Sequence, residues 1–299
     1  MIRTAREWAS FVKLSHTIFA MPVALAAMVV AAREDRGWPG WRVFLLVVAA
    51  LVTARTCAMS FNRIVDRHFD AMNPRTADRH LPTGRISLGS AIALCALSAA
   101  AFVTVSGLLN SLCLWLSPVV LFVICFYSLT KRFTDFTHVF LGLALALAPV
   151  GAWLAVRGTN VTWLEVIQMI LLASAVVFWL TGFDLIYALQ DYEFDRRAGL
   201  GSLVVRWGPK NALMAAFLAH VIMLMLLAIF GVACRFRLPY WAGLGIIAAC
   251  IVLEHAIARR RSLNWINVAF FRLNALVSVI FMAMTIAEVV FPFFRPQRF

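Results

Sequence analysis

The chain has 299 residues, of which 63% are hydrophobic and only 14% charged, with a net charge of +13 and a mean hydropathy of +0.88. A soluble domain is about half apolar and a quarter charged, so this balance excludes a soluble fold and reads as an integral membrane protein with no room for a separate soluble domain. The positive charge, which on a soluble protein would suggest a nucleic-acid partner, here reports topology and no nucleic acid is implied.

The first residues are basic and amphipathic and run into the first apolar segment without a small-residue cleavage site, so no signal peptide is expected. A span needs about 20 apolar residues. Nine such segments follow in order, at about His16 to Ala32, Val43 to Phe61, Leu88 to Leu109, Ser111 to Leu129, His138 to Val156, Val161 to Gln190, Ala212 to Ala233, Tyr240 to Ala258 and Val268 to Phe291. Pro22 in the first is tolerated because neighbouring helices can satisfy the freed carbonyl. The third and fourth form a tight hairpin, and the sixth is too long for one span, so its last turns should leave the hydrocarbon or line a polar cavity. The cysteines, Cys57, Cys95, Cys113, Cys125, Cys234 and Cys250, fall singly in apolar segments and read as small core hydrophobes, with neither zinc nor a disulfide framework implied.

The densest polar insert is SFNRIVDRHFDAMNPRTADRHLPTGR, after the second span. Asn62, Asp66 and Asp70 are spaced by four, which places them in one column on a helix. Two carboxylates at that spacing repel by about 0.2–0.5 kcal/mol unless a cation sits between them. Magnesium suits such a column, since it takes one or two carboxylates and fills its octahedron with water and substrate phosphate. Arg75, Arg79 and Arg85 would then face the phosphates. A second column, Asp184, Asp191 and Asp195, lies at the end of the sixth segment and is followed by Arg196 and Arg197. Between them stands the short basic loop of Lys131 and Arg132.

With the N-terminus inside, the larger share of loop Lys and Arg falls on the side of both aspartate columns, which places them at the cytoplasmic face of the inner membrane. The separation of the columns suggests two four-helix pseudo-repeats plus a ninth helix around a central cavity, in a single domain over residues 1–299. Facing carboxylates flanked by cations suit a diphosphate held through Mg2+, with an apolar tail lying among the helices. A secondary transporter also carries intramembrane acids, but would place them near the midplane and away from arginines.

The NxxxDxxxD run of Asn62, Asp66 and Asp70 and the DxxxD run of Asp191 and Asp195 resemble the two signatures of the UbiA superfamily of intramembrane prenyltransferases. The likeness extends to RTADRHLPTG, to the YSLTKR run at Tyr127, and to YALQD followed by GLGSLVVRWG, and covers about residues 10–290. The chain departs from the common wording at Arg63, Asp78 and His80. The resemblance implies Mg2+-dependent cleavage of a polyprenyl diphosphate and attack on the allylic cation by an electron-rich ring carbon. It assigns Asn62, Asp66, Asp70, Asp191 and Asp195 to the metal and diphosphate, and Lys131 and Arg132 to the phosphates; Arg67, with Arg75 and Arg79 of the polar insert, is a further candidate for substrate binding. The wording is most similar to the quinone-biosynthesis branch, whose acceptors are 4-hydroxybenzoate or 1,4-dihydroxy-6-naphthoate.

Such acceptors carry a carboxylate, and Arg55, on the face of Asn62 about 10 Å deeper, is the cation to meet it. Tyr127 and Tyr187 are either interfacial or cavity-lining. Asp184 is a candidate for orienting the acceptor hydroxyl or taking the ring proton. His16, His138 and His220 read as interfacial histidines near helix ends, and Arg272 as a helix tether.

Overall fold

The computed structural model describes residues 2–13, 17–260 and 263–291. Helix α1 (Ile2–Phe11) is short and amphipathic, and α2 (Thr17–Ala31) is the first apolar helix. The others are α3 (Trp41–Met72), α4 (Leu88–Leu109), α5 (Ser111–Thr130), α6 (Thr137–Arg157), α7 (Trp163–Ala188), α8 (Tyr192–Ala198), α9 (Leu203–Ala233), α10 (Leu238–Arg260) and α11 (Leu263–Val290). Among the described residues eight helices are long and apolar enough to cross a membrane, and α2 is a shorter apolar ninth. The protein is an all-α, multi-pass membrane protein, the helix being a fold whose backbone polar groups are satisfied within the segment, so that it can cross the hydrocarbon.

Consecutive helices pack side by side, and α11 returns to pack on α2, which also lies against α6. Helix α2 can do this because Ala24, Ala26 and Ala27 are fully buried and let two neighbours approach. Sequence caps set the ends: the Ser87 hydroxyl accepts from Ser90 N, the Asn110 amide oxygen from Cys113 N, and Thr162 forms a reciprocal box with Glu165. The Asn110 amide also donates to the carbonyls of Leu154 and Ala155, so the turn expected between α4 and α5 is tied down onto the end of α6.

Two features depart from the simple reading of the segments. The long sixth segment does not run on as one helix: α7 stops at Ala188, a 3-10 turn covers Leu189–Asp191, and α8 follows. Helix α9 is broken where Gly208 takes φ +77°, a conformation that favours glycine, and Pro209 restarts it at a first helical position, where its missing N–H costs nothing.

The histidines expected at the interface are instead buried at His138 and His220, while His16 lies outside the described residues. His220 is fully buried, with its Nδ1 2.9 Å from Nε2 of His255 and its Nε2 3.1 Å from the Trp179 carbonyl. Trp179 Nε1 donates to Asn274, whose amide donates to Glu254, so a buried polar network ties α7, α9, α10 and α11 together. His138 is buried too, at the opening turn of α6, and belongs to the site below. Arg272 is exposed on α11. All six cysteines are free thiols, and Cys57, Cys234 and Cys250 are buried in the packing.

Candidate active site

The last turns of α3 carry the first column. Asp66 and Asp70 are buried at 3% and 6% exposure, deep enough that each carboxylate must be paired or ligated. Lys131 Nζ stands 3.1 Å from Asp66 Oδ2, which also accepts from the Asn62 amide at 3.1 Å. Asp66 Oδ1 has no hydrogen-bond partner, though Arg132 Nη2 is 3.6 Å away. Asp70 receives Arg79 Nη1 at 2.6 Å, and Arg63 Nη1 lies 4.0 Å from its other oxygen.

The loop after α3 reaches across to the second column. The Asn73 amide donates to Asp191 Oδ1 at 3.1 Å and its oxygen accepts from the Arg75 backbone, a turn that aims Arg75 outward. Arg75 then grips Asp191 with a fork, Nε to Oδ1 at 2.8 Å and Nη2 to Oδ2, while Nη1 donates to the Tyr187 hydroxyl at 3.0 Å. The two columns therefore face each other across one cleft.

The third wall is the loop between α5 and α6. Gly201, just past α8, donates its backbone N–H to the Lys131 carbonyl at 2.7 Å. A Cβ on Gly201 would come within 2.6 Å of the Thr134 carbonyl oxygen, so only glycine lets the two loops meet this closely. At the entry to α6, His138 Nδ1 is 2.7 Å from Asp184 Oδ2, and His138 Nε2 is buried without a hydrogen-bond partner. Sequence reasoning used His138 only as an interfacial residue; its partner stands forty-six positions away and no local pattern announces it.

Together these groups line a polar cavity of about 240 Å³, whose wall includes Asn62, Asp66, Asp70, Arg75, Arg79, Tyr127, Lys131, His138, Asp184, Tyr187, Asp191 and Asp195. An apolar cavity of about 370 Å³ lies deeper, between α3, α4, α5 and α6, and Tyr127 lines both. Arg55 is the one charged group on the apolar cavity's described wall, and its Nε has no hydrogen-bond partner. Three predicted cations lie off the polar cavity wall. Arg67 donates to the Ile64 carbonyl of its own helix, Arg132 to the Val65 carbonyl, and Arg85 to the Asp78 carbonyl.

Lys13 adds a cation that the sequence suggested only as a topology signal. Burial pushes its ammonium down to about 8, and the charges of Arg63, Arg79, Arg75 and Arg55 act in the same direction. This part of the molecule therefore gathers positive charge, which an anion would relieve.

The residues fit magnesium on their own chemistry. The donors are hard oxygens, Asp66 Oδ1 is a buried carboxylate oxygen lacking a hydrogen bond, and both columns share one cavity. Among the described residues no three acidic or histidine side chains converge into a ready-made cage. That suits an ion bound through a few carboxylates plus substrate phosphate.

The comparisons with known proteins bear on the same residues. The model of the UbiA prenyltransferase family matches residues 20–276, a stretch that contains both columns. The chain belongs to the UbiA prenyltransferase family. It is similar to a 4-hydroxybenzoate octaprenyltransferase of Methylobacillus flagellatus, 34% identical over 255 residues, covering 84% of this chain and 83% of the relative. Among solved structures it resembles a UbiA homolog from Aeropyrum pernix K1, with a TM-score of 0.82 at 33% identity over 92% of this chain and 98% of that one. A UbiA homolog from Archaeoglobus fulgidus, solved with GPP and Mg2+, shares the fold with a TM-score of 0.65 at 21% identity, over 92% and 99% of the two chains. As a UbiA prenyltransferase the protein is an enzyme, and the transporter reading of its acidic residues falls away.

Proposed function

We propose that this chain transfers a polyprenyl group from polyprenyl diphosphate to a ring carbon of a hydroxylated aromatic carboxylate of the 4-hydroxybenzoate type, in a quinone-forming route at the cytoplasmic face of the inner membrane. One observation carries the reading: a cavity walled by two aspartate columns and their cations adjoins an apolar cavity, with Tyr127 shared between them. The diphosphate belongs in the first and the prenyl tail in the second.

Asn62, Asp66, Asp70, Asp191 and Asp195 would hold Mg2+ and through it the diphosphate. When bound, the ion supplies charge stabilisation for the departing diphosphate. Arg75, Arg79 and Lys131 now neutralise Asp191, Asp70 and Asp66, and each would exchange part of that pairing for phosphate oxygens. Tyr127 and Tyr187 line the polar cavity, and since the face of an aromatic ring attracts positive charge they would favour an allylic cation formed there. Arg55, the one charged group on the described apolar wall, would receive the acceptor carboxylate and fix the ring next to the reacting carbon. The names of relatives such as the Methylobacillus flagellatus protein favour 4-hydroxybenzoate over 1,4-dihydroxy-6-naphthoate.

The test is to incubate membranes containing the enzyme with Mg2+, polyprenyl diphosphates of several lengths and each acid, and to read the products by mass spectrometry. Prenylated 4-hydroxybenzoate is expected, and its formation should stop when the ion is chelated. Prenylation of the naphthoate alone would move the acceptor assignment, and turnover in excess chelator would remove the role given to the carboxylates.

A further inference from the structure

Prenyl transfer to a ring carbon leaves one proton to be removed, and the aspartates that hold the metal and diphosphate are poor bases for it because a cation occupies their lone pairs. We infer that His138 is the base, with Asp184 as its positioning residue. The inference rests on the proposed function and adds the group that completes it.

Three observations carry the assignment. First, His138 and Asp184 both lie on the wall of the polar cavity, in the compartment where both aspartate columns stand. Second, Nδ1 of His138 is 2.7 Å from Asp184 Oδ2. A carboxylate at that distance fixes the proton on Nδ1, which leaves the lone pair on Nε2. Third, that Nε2 is buried and makes no hydrogen bond. A buried acceptor left unpaired loses its hydration with nothing in return, and buried polar groups without partners are rare enough to call for a reason. A nitrogen kept for the acceptor supplies one, and the arrangement of base and orienting carboxylate is the one that histidine bases use elsewhere.

The step balances. The C–O bond to the diphosphate breaks with its electron pair leaving on the diphosphate, and the allylic carbon bonds to a ring carbon beside the hydroxyl. The ring C–H bond then breaks and its electrons restore aromaticity. The proton goes to Nε2, and the resulting imidazolium is held by the Asp184 carboxylate. From there it passes to the departing diphosphate or to water at the cavity mouth.

The experiment compares ring-deuterated with ordinary acceptor in the full-length enzyme in detergent. In the wild type the ring proton leaves quickly after attack and the isotope effect on kcat should be near unity. In His138→Gln, kcat should fall by about 100-fold or more, with acceptor KM little changed and a clear primary isotope effect, because proton loss has become limiting. Asp184→Asn should move both readouts the same way by less, since it disturbs the tautomer but leaves the imidazole. Retained binding of a prenyl diphosphate shows that a variant is folded. A folded His138→Gln enzyme whose isotope effect stays at unity, or whose kcat matches the wild type, overturns the assignment; if His138→Gln does not fold, the same readings on Asp184→Asn decide it. Failure of the wild type to prenylate any aromatic acid would instead remove the underlying function, so the two failures are distinct.

Discussion

At the scale of single residues, the site is a set of charges that neutralise one another until substrate arrives. Lys13 shows the cost of the arrangement, because burial, with the charges of several guanidinium groups acting in the same direction, holds its ammonium down to about 8 against an ordinary value of 10.5. A lowered lysine pKa means that the folded chain binds fewer protons than the unfolded chain between those two values. Stability therefore rises with pH across that window, and the penalty is at its full size below about 8. Diphosphate binding should run the other way, since an anion favours the charged ammonium. We expect prenyl diphosphate affinity to weaken as pH rises through about 8 in titrations of the wild type, and this dependence to flatten in Lys13→Met. An unchanged slope in the variant would separate Lys13 from the anion site. Arg55 gives a second residue-scale test: Arg55→Gln should raise KM for the aromatic acid several-fold and leave prenyl diphosphate affinity near the wild-type value, in steady-state kinetics with each substrate varied in turn.

At the scale of elements, the site depends on how helix ends and loops dock on one another. The loop after α3 holds Asp191 through Asn73 and Arg75, while Thr76 donates to the Asp70 carbonyl and keeps the turn close to its own helix. Across the cleft, Gly201 seats the chain after α8 against the Lys131 loop. Gly201→Ala meets backbone, which cannot swing aside as a long side chain could, so the two loops must part. The expected outcome is a loss of diphosphate affinity and of kcat with the detergent-solubilised fold intact, measured by binding and by thermal unfolding. Wild-type affinity in Gly201→Ala would show that the contact is incidental to the site. Helix α1 plays a supporting part, because Phe11 is buried against Ile86 and Ala91 and His80 stands 3.4 Å from Glu7, so the amphipathic start of the chain braces the Arg75–Arg79 loop.

At the scale of the whole molecule, the bundle brings two distant columns to one cavity, and their joint action is open to measurement. If Asp66 and Asp191 hold the same magnesium-bridged diphosphate, Asp66→Ala or Asp191→Ala alone should cost nearly as much activity as both together, because groups acting as one unit are strongly non-additive. Asp→Asn changes should fail almost as badly, by on the order of 100-fold or more, since the amide keeps the size and loses the charge. A double variant whose loss equals the product of the single losses would mean two independent sites.

Much of this was legible in the residues alone, because the signals are local. Apolar runs of spanning length impose helices, since no other open structure satisfies its backbone in lipid, and the i, i+4 spacing of Asn62, Asp66 and Asp70 fixes their column whatever surrounds it. The membrane class, the helix count and the first aspartate column follow from those two facts. The tertiary structure alone decided which charges meet. Arg75 pairs with Asp191, Arg67 and Arg85 turn to backbone carbonyls, and His138, which reads as an interfacial residue, is buried against Asp184. The break after Ala188, which turns Asp191 off the helix that carries Asp184, was hidden as well. Each of these depends on how far a helix is rotated about its axis and where its loop lands, and those are set by packing between segments that lie far apart in the chain.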